Sequence, residues 1–577
     1  AEKFGVHPAI IKILADRGVQ GEDAVREYLE ADIATVSDGS ELTDMQRGVD
    51  VIYDAVKAGK YIRIMGDYDV DGVTSTYILY KGLTGLGAKC DKFIPHRITD
   101  GYGLHEPAIR DAYDAGVQVI LTCDNGIAAA NEVKLAKELG MTVVVTDHHE
   151  VPYEIRNFCP TEDNEEANAS EENDGGHEVP YETPTEPGDN EGARHYIIPD
   201  ADAVIDPKRP EDDGVFKEIC GAVVAWKFMW CLYRKFGKIN EFNNSDFLEI
   251  ASLGTVCDVM ELQHDNRAIV KEGLKKMQNT SNIGLQALLE VLGLKDKALT
   301  SYDYGFKIGP CINAEGRLDT ANEAFDLLAE TDYQKALEKA AQMRDLNVER
   351  QELTKQGMEE AFKIIDTEMQ NDKVLVVYLP DVHESIAGII AGKVREKYCK
   401  PAFVLTKGDG DFLKGSGRSI EAYSMYNKMV EVKDLMLGFG GHPLAAGLSL
   451  KEENLEEEAE VHKEEFGYIT VIENVFGFKQ VLPLQEGDNV IGRRCVGTVI
   501  NTPIESGDMS MDRRHCIINV KRNKQGKLVY TLRDAPSLTG TFLMNEILGD
   551  KDRVRMEDGA IVTIGATTFI LHTAEAE

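Results

Sequence analysis

Cysteine is scarce in this chain. There are ten in 577 residues, none in a CxxC pair and several inside apolar runs (Cys220, Cys231, Cys257, Cys311). That excludes a disulfide framework and predicts reduced thiols in a cytoplasmic protein. No apolar run approaches 18 residues, which excludes a helical membrane span. The opening AEKFGVHPAI has no basic stretch ahead of an apolar one, which predicts no secretory leader, and its lack of Met fits a trimmed chain. Basic residues are in deficit: Lys plus Arg total 63 against 100 Asp plus Glu, for a net charge of −37. A nucleic-acid partner therefore needs a local basic groove within a repelling field. What remains is ordinary for a globular protein, 43% apolar and 28% charged, which excludes a collagen-like or fully disordered chain. The length predicts roughly three to five domains.

Residues 61–150 alternate short apolar strands (YIRIMGD, VQVILTCD, MTVVVTDHH) with helical stretches. Such alternation predicts an α/β fold with a mostly parallel sheet, whose ligands lie beyond the carboxyl ends of the strands. Asp67, Asp124, Asp147 and His148 fall at those ends. An N-terminal helical segment, 1–50, precedes a domain at 51–330. The pattern breaks at about 155–195, in a Glu-, Asn-, Gly- and Pro-rich insertion that cannot bury a core. Residues 161–194 carry twelve acids against one Arg, and taking that −11 from −37 leaves −26. Residues 331–370 predict a long connecting helix, or two in series, leading to a second α/β domain at 371–455. Beyond about 475 the pattern becomes β-rich, with a hairpin around NKQG and OB-like character open. Residues 493–535 form the most basic window, net +5, either a solvated β-surface or a nucleic-acid contact.

The densest chemistry is GDYDVDG, where Asp67, Asp69 and Asp71 alternate after a strand. An extended or turning segment points them to one side, and divalent cations offset their mutual repulsion. A solvated turn or a lone calcium loop uses the same residues. Asp124 in TCDNG, Asp147, His148 and His149 in TDHH, and Asp258 in GTVCDVM also follow apolar stretches. A set of Asp with one or two His suits Mn²⁺ or Mg²⁺ better than a structural zinc. The set is large enough for two ions sharing a carboxylate, one solution to phosphodiester cleavage.

GDYDVDGVTST, TCDNG, TDHH and GTVCDV together resemble the four motifs of the DHH phosphoesterase superfamily, in the variants of the RecJ exonuclease family. INAEGR (312–317), DVHESIAGIIAG (381–392), GSGRS (415–419) and GGHPLAAG (440–447) are similar to that family's DHHA1 region and the motif connecting to it. The resemblance covers roughly residues 10–450. It implies a DHH domain, a connecting helix, a DHHA1 domain and 5′→3′ exonuclease activity on single-stranded DNA. It also implies two Mn²⁺ (or Mg²⁺) ions, one on Asp67, Asp69 and Asp124, the other on Asp71, Asp124, His148 and Asp258. By the same resemblance Asp147 orients a ligand histidine and His149 meets the scissile phosphate. Substrate contacts fall to Arg317, His383, Ser416, Arg418, Ser419 and the Gly440–Gly441–His442 turn. A packing turn explains the last equally well from the residues alone. A helicase and a single-strand-binding protein are implied as partners, and no membrane.

Two features depart from that pattern. The acidic insertion reads as a tether, a partner-binding tail or a DNA-mimicking inhibitor. The β-rich end carries no motif that secures an OB fold. Competing functions are a DHH phosphodiesterase of short oligonucleotides or cyclic dinucleotides, favoured by the acidic body, and a catalytically silent scaffold, disfavoured by the complete Asp and His set.

Overall fold

The computed structural model describes every residue except 98, 99, 102, 157–192, 319, 371, 409–411, 455–465, 474–479, 495–499, 505, 507, 509, 525, 545, 550 and 575–577. The acidic insertion thus lies almost wholly outside the described residues. The chain divides into two compact units, Ala1–Lys451 and Glu452–Glu577.

The first unit begins with helices (Pro8–Asp16, Glu22–Glu30 and Met45–Lys57) and continues into a five-stranded parallel sheet. Its strands are β1 (Tyr61–Met65), β2 (Lys89–Phe93), β3 (Val119–Thr122), β4 (Thr142–Thr146) and, after a two-stranded ribbon, β7 (Ala203–Ile205). The ribbon pairs β5 (Tyr153–Arg156) with β6 (Ala193–Tyr196), so the ends of the acidic insertion are held together. The sheet order β2-β1-β3-β4-β7 reverses direction between β1 and β3. That reversal opens a crevice at the carboxyl ends of β1 and β3.

Period-two patterning explains how the sheet buries both faces. Ile62, Ile64, Val119 and Leu121 enter one core, and Met65, Ile120, Val143 and Val145 the other. Arg63 is buried among the latter because Asp91 and Asp111 pair with it at 2.8 and 2.6 Å. The first core is closed by helices α1 (Val70–Gly85), α2 (Gly221–Lys235) and α3 (Phe247–Cys257), apolar nearly all round and correspondingly buried.

Further on, a helix runs without a break through Ser301–Asp303, a π turn at Tyr304–Ile308, and Gly309–Leu318. The connecting helix, α4 (Tyr333–Glu368), is a single piece of 36 residues, capped by Asp332 at the Gln334 and Lys335 amides. Its first half seats Ala336, Ala340 and Met343 in the first core, and its second half seats Ala361 and Ile365 in another. That other core lies under the sheet β11-β12-β10-β9-β8, from β8 (Leu375–Tyr378), β9 (Ala402–Lys407), β10 (Phe412–Arg418), β11 (Met436–His442) and β12 (Ala445–Lys451). Helix α5 (Glu384–Tyr398) packs on it. The expected turn at Gly440, Gly441 and His442 is instead the last part of strand β11. The hairpin turn follows it, and Gly441 (φ 142°) passes close to the Ala445 carbonyl.

The second unit is built of a six-stranded and a five-stranded sheet around a core of Ile, Val, Leu and Phe569. The hairpin around NKQG is present, joining Cys516–Arg522 to Leu528–Asp534.

Candidate metal centre and anion cavity

The strand-end residues converge in the crevice. The loop after β1 turns directly into α1. Asp69 caps that helix, accepting from the Gly72 amide at 3.0 Å, and Asp71 sits in its first turn. The three aspartates are therefore not an extended row but a helix N-terminus, where partial positive charge favours carboxylates. Asp71 also receives the Gly221 and Ala222 amides, at 2.6 and 2.9 Å, from the N-terminus of α2. That approach requires small neighbours. A Cβ on Gly221 lies 2.9 Å from an Asp71 oxygen, and one on Gly254 of α3 lies 2.7 Å from the other. Asp124 after β3 has φ 60° and Val259, just after Asp258, φ 61°, left-handed values rare outside glycine.

His148 Nε2 stands 3.0 Å from Asp124, 3.6 Å from Asp71 and 3.7 Å from Asp258. Three trios place ligand atoms within 4.8 Å of one another: Asp67, Asp69 and Asp124; Asp71, His148 and Asp258; Asp124, His148 and His149. Asp147, expected to orient a ligand histidine, lies against both histidines of TDHH. Its carboxylate bonds the His149 ring at 2.8 Å, and it meets His148 only through the backbone amide. Burial and neighbouring carboxylates push Asp67 and Asp258 up to about 8 and raise Asp69 and Asp124. Burial lowers His148, whereas for His149 it is outweighed by the Asp147 hydrogen bond, which lifts the ring to about 9.

These residues fit divalent cations. Asp67 Oδ1 and Asp258 Oδ2 are buried carboxylate oxygens with no hydrogen-bond partner, an arrangement that costs free energy unless a cation answers it. Oxygen donors with one or two imidazoles suit Mn²⁺ or Mg²⁺.

A second, cationic feature adjoins the first. Arg97, Arg317 and Arg418 line a cavity of 310 Å³ with Ser385, Gly388 and Ser416. Arg317 donates to the Ser385 carbonyl at 2.7 Å. Burial and then the charges of Arg97, Arg350 and Arg418 lower Arg317 to about 10. Glu384 and Glu396 also line the cavity, Glu384 paired with Lys414 at 2.8 Å. The Arg97 guanidinium lies 4.7 Å from the centroid of the Tyr68 ring, whose residue directly follows Asp67. Tyr68 thus joins the carboxylate well to the arginine cavity.

Sequence reasoning missed Arg97. The available signal was a lone Arg in the loop after β2, at the carboxyl end of the sheet. Of the other expected contacts, Ser416 and Gly440 line an adjoining cavity of 440 Å³ together with Arg97, and Gly441 and His442 line neither. His383 caps α5, its Nδ1 2.6 Å from the Ser385 hydroxyl. Ser419 is buried, and its hydroxyl donates to the Tyr423 carbonyl at 2.6 Å.

Comparison with known proteins follows the same division. A model of the DHH family, N-terminal domain, matches residues 61–178, a DHHA1 domain model residues 371–467, and an FHA domain model residues 489–565. The last match replaces the OB-like expectation for the β-rich end. The chain is 31% identical over 492 residues to the single-stranded-DNA-specific exonuclease RecJ of Bacillus subtilis (strain 168), covering 85% of this chain and 56% of that one. It is also 31% identical over 465 residues to that of Escherichia coli (strain K12), covering 77% and 72%. The chain thus spans little more than half of the Bacillus relative. A crystal structure of exonuclease RecJ bound to manganese aligns with a TM-score of 0.58 at 29% identity, over 71% of this chain and 91% of that one.

Proposed function

The chain belongs to the RecJ family of single-stranded-DNA-specific exonucleases, and from that premise we propose that it removes mononucleotides from the 5′ end of single-stranded DNA in repair and recombination. Two Mn²⁺ or Mg²⁺ ions would be held by Asp67, Asp69, Asp71, Asp124, His148 and Asp258. When bound, such ions supply a hydroxide nucleophile and neutralise charge on the phosphate.

The observation that carries this reading is the junction at Tyr68, where the carboxylate well meets three convergent arginines. A cationic cavity beside a hydrolytic centre holds a chain-terminal phosphate by charge-assisted hydrogen bonds and so presents the nearest phosphodiester to the well. His149, kept protonated by Asp147, offsets negative charge developing on that phosphate. A cytoplasmic location, and a helicase and a single-strand-binding protein as partners, belong to the same reading. Among the described residues no helix is long and apolar enough to cross a membrane.

The test compares 5′- and 3′-labelled single strands, a duplex and a dinucleotide in Mn²⁺, with and without chelator. Mononucleotide release from the 5′ end of the single strand alone, lost with chelator, is the expected result. Activity confined to the dinucleotide overturns it. Asp71→Ala abolishes turnover while leaving most strand affinity, since the strand is held mainly outside the well.

A further inference from the structure

The helix that ends at Arg317 carries an unexplained feature near its start. Phe306 is 68% exposed, the only exposed Phe among the described residues, and Tyr302 is 59% exposed. Their rings stack on each other, centroids 4.7 Å apart and planes within 20°. An i,i+4 pair on one helix face meets in this way. The π turn at Tyr304–Ile308 sorts the faces: Tyr304 and Ile308 are wholly buried, while Tyr302 and Phe306 face outward. Single π turns of this kind occur disproportionately at functional sites.

The turn is fastened to the segment that ends in Asp258. The Cys257 thiol lies 3.7 Å from the Tyr304 carbonyl. A Cβ on Gly309 would lie 2.4 Å from that sulfur, so glycine there permits the contact. Val259, next after Asp258, is 86% exposed. Two large exposed rings therefore stand on a turn fastened to the segment that supplies a carboxylate to the well. Lys307 adds a cation, 5.8 Å over the Tyr302 ring, and is itself paired with Asp303 at 2.6 Å.

We propose that Tyr302 and Phe306 form a base-stacking platform on which bases of the single strand rest while its terminal phosphate lies among Arg97, Arg317 and Arg418. The inference rests on the function proposed above and adds what holds the strand. Phe306 and Arg317 are eleven residues apart on one helix, about 16 Å at 1.5 Å per residue, so platform and phosphate cavity are spaced by a rigid ruler. Stacking needs only an open base face, which every base has. It accepts any sequence, and it rejects duplex DNA, whose bases are closed between their neighbours. It also answers the charge problem, since affinity drawn from base faces needs no additional positive surface in a chain of −37.

The test is steady-state cleavage of a 5′-phosphorylated strand in Mn²⁺ by the full chain and by the doubly substituted Tyr302→Ala, Phe306→Ala chain. Both side chains are exposed, so the variant folds, as a melting curve verifies. KM is expected to rise about tenfold, the lower end of the value of one stacked base, with the loss read in KM rather than in kcat. Tyr302→Trp restores the lost affinity where Tyr302→Leu does not. On a strand with abasic sugars beyond the first nucleotide, variant and parent give the same KM. The proposal is overturned by an unchanged KM on the normal strand, or by an equal loss on the abasic one, which would place the effect in the helix carrying Arg317. Quenching of 2-aminopurine in the bound strand separates this idea from the exonuclease reading. Quenching that the double variant loses, in a parent chain that releases no nucleotide, keeps the platform and removes the nuclease.

Discussion

Single residues in the well are poised by proton exchange. With Asp67 and Asp258 pushed up to about 8, the metal-free chain holds protons at pH 7 that a cation must displace. Manganese binding should therefore release protons, read by calorimetry in buffers of different ionisation enthalpy, and its affinity should rise from pH 6 to pH 8. These raised values also mean that the folded metal-free chain binds more protons than the unfolded one between about pH 4 and pH 8. Its stability should then fall as pH rises through that window, and saturating metal should flatten the trend. A pH-independent metal affinity would contradict this account. Elsewhere, Asp246 is a buried carboxylate gripped by Tyr77 at 2.6 Å, Asn282 at 2.8 Å and Lys81 at 2.8 Å. Nothing in the sequence marks it, because its partners come from positions 169 and 165 residues upstream and 36 downstream. Asp67, Asp124 and His148 could be picked out as candidates because each stands two residues past an apolar strand.

At the scale of elements, glycine placement controls the well. Gly254→Val should displace Asp71 and weaken metal binding at least tenfold, with a stability loss of about 1–3 kcal/mol typical of overpacking. A substitution that leaves the metal isotherm unchanged would show that α3 can yield. Asp332→Ala removes the cap of the long helix and should cost about 1 kcal/mol in a denaturant melt. The parallel sheet, a helical connection (one helix or two in series) and the β-rich end were all readable, because their apolar periods differ. Strand β11 was not, since GFGGH lacks the branched side chains that mark strands. Its pairing with β12 is supplied by the neighbouring sheet. The Asp147–His149 bond was also hidden, because two adjacent histidines after a strand do not show which ring turns toward the carboxylate.

The whole molecule is a polyanion, and so is the substrate proposed for it. Deleting residues 161–194 takes the net charge from −37 to −26. Single-strand affinity should rise at low salt and converge with that of the full chain as screening shortens the reach of charge. Equal affinities at 20 mM and 500 mM salt would rule out both repulsion and inhibition by that segment. The basic window at 493–535 falls within the two-sheet unit, where Arg533 is already paired with Asp488 at 3.0 Å. It is less available than its net +5 implies.

Because α4 is unbroken and seated in a core at each end, it sets a rotational phase between the carboxylate domain and the sheet that carries Arg418. Removing one residue between Met343 and Ala361 turns the far seat by about 100° and draws it in by about 1.5 Å, like a screw advanced by part of a thread. Such a deletion keeps every residue of the carboxylate well yet turns the sheet that carries Arg418 away from it. Insertions and deletions along that shaft are thus tolerated only in near-whole turns.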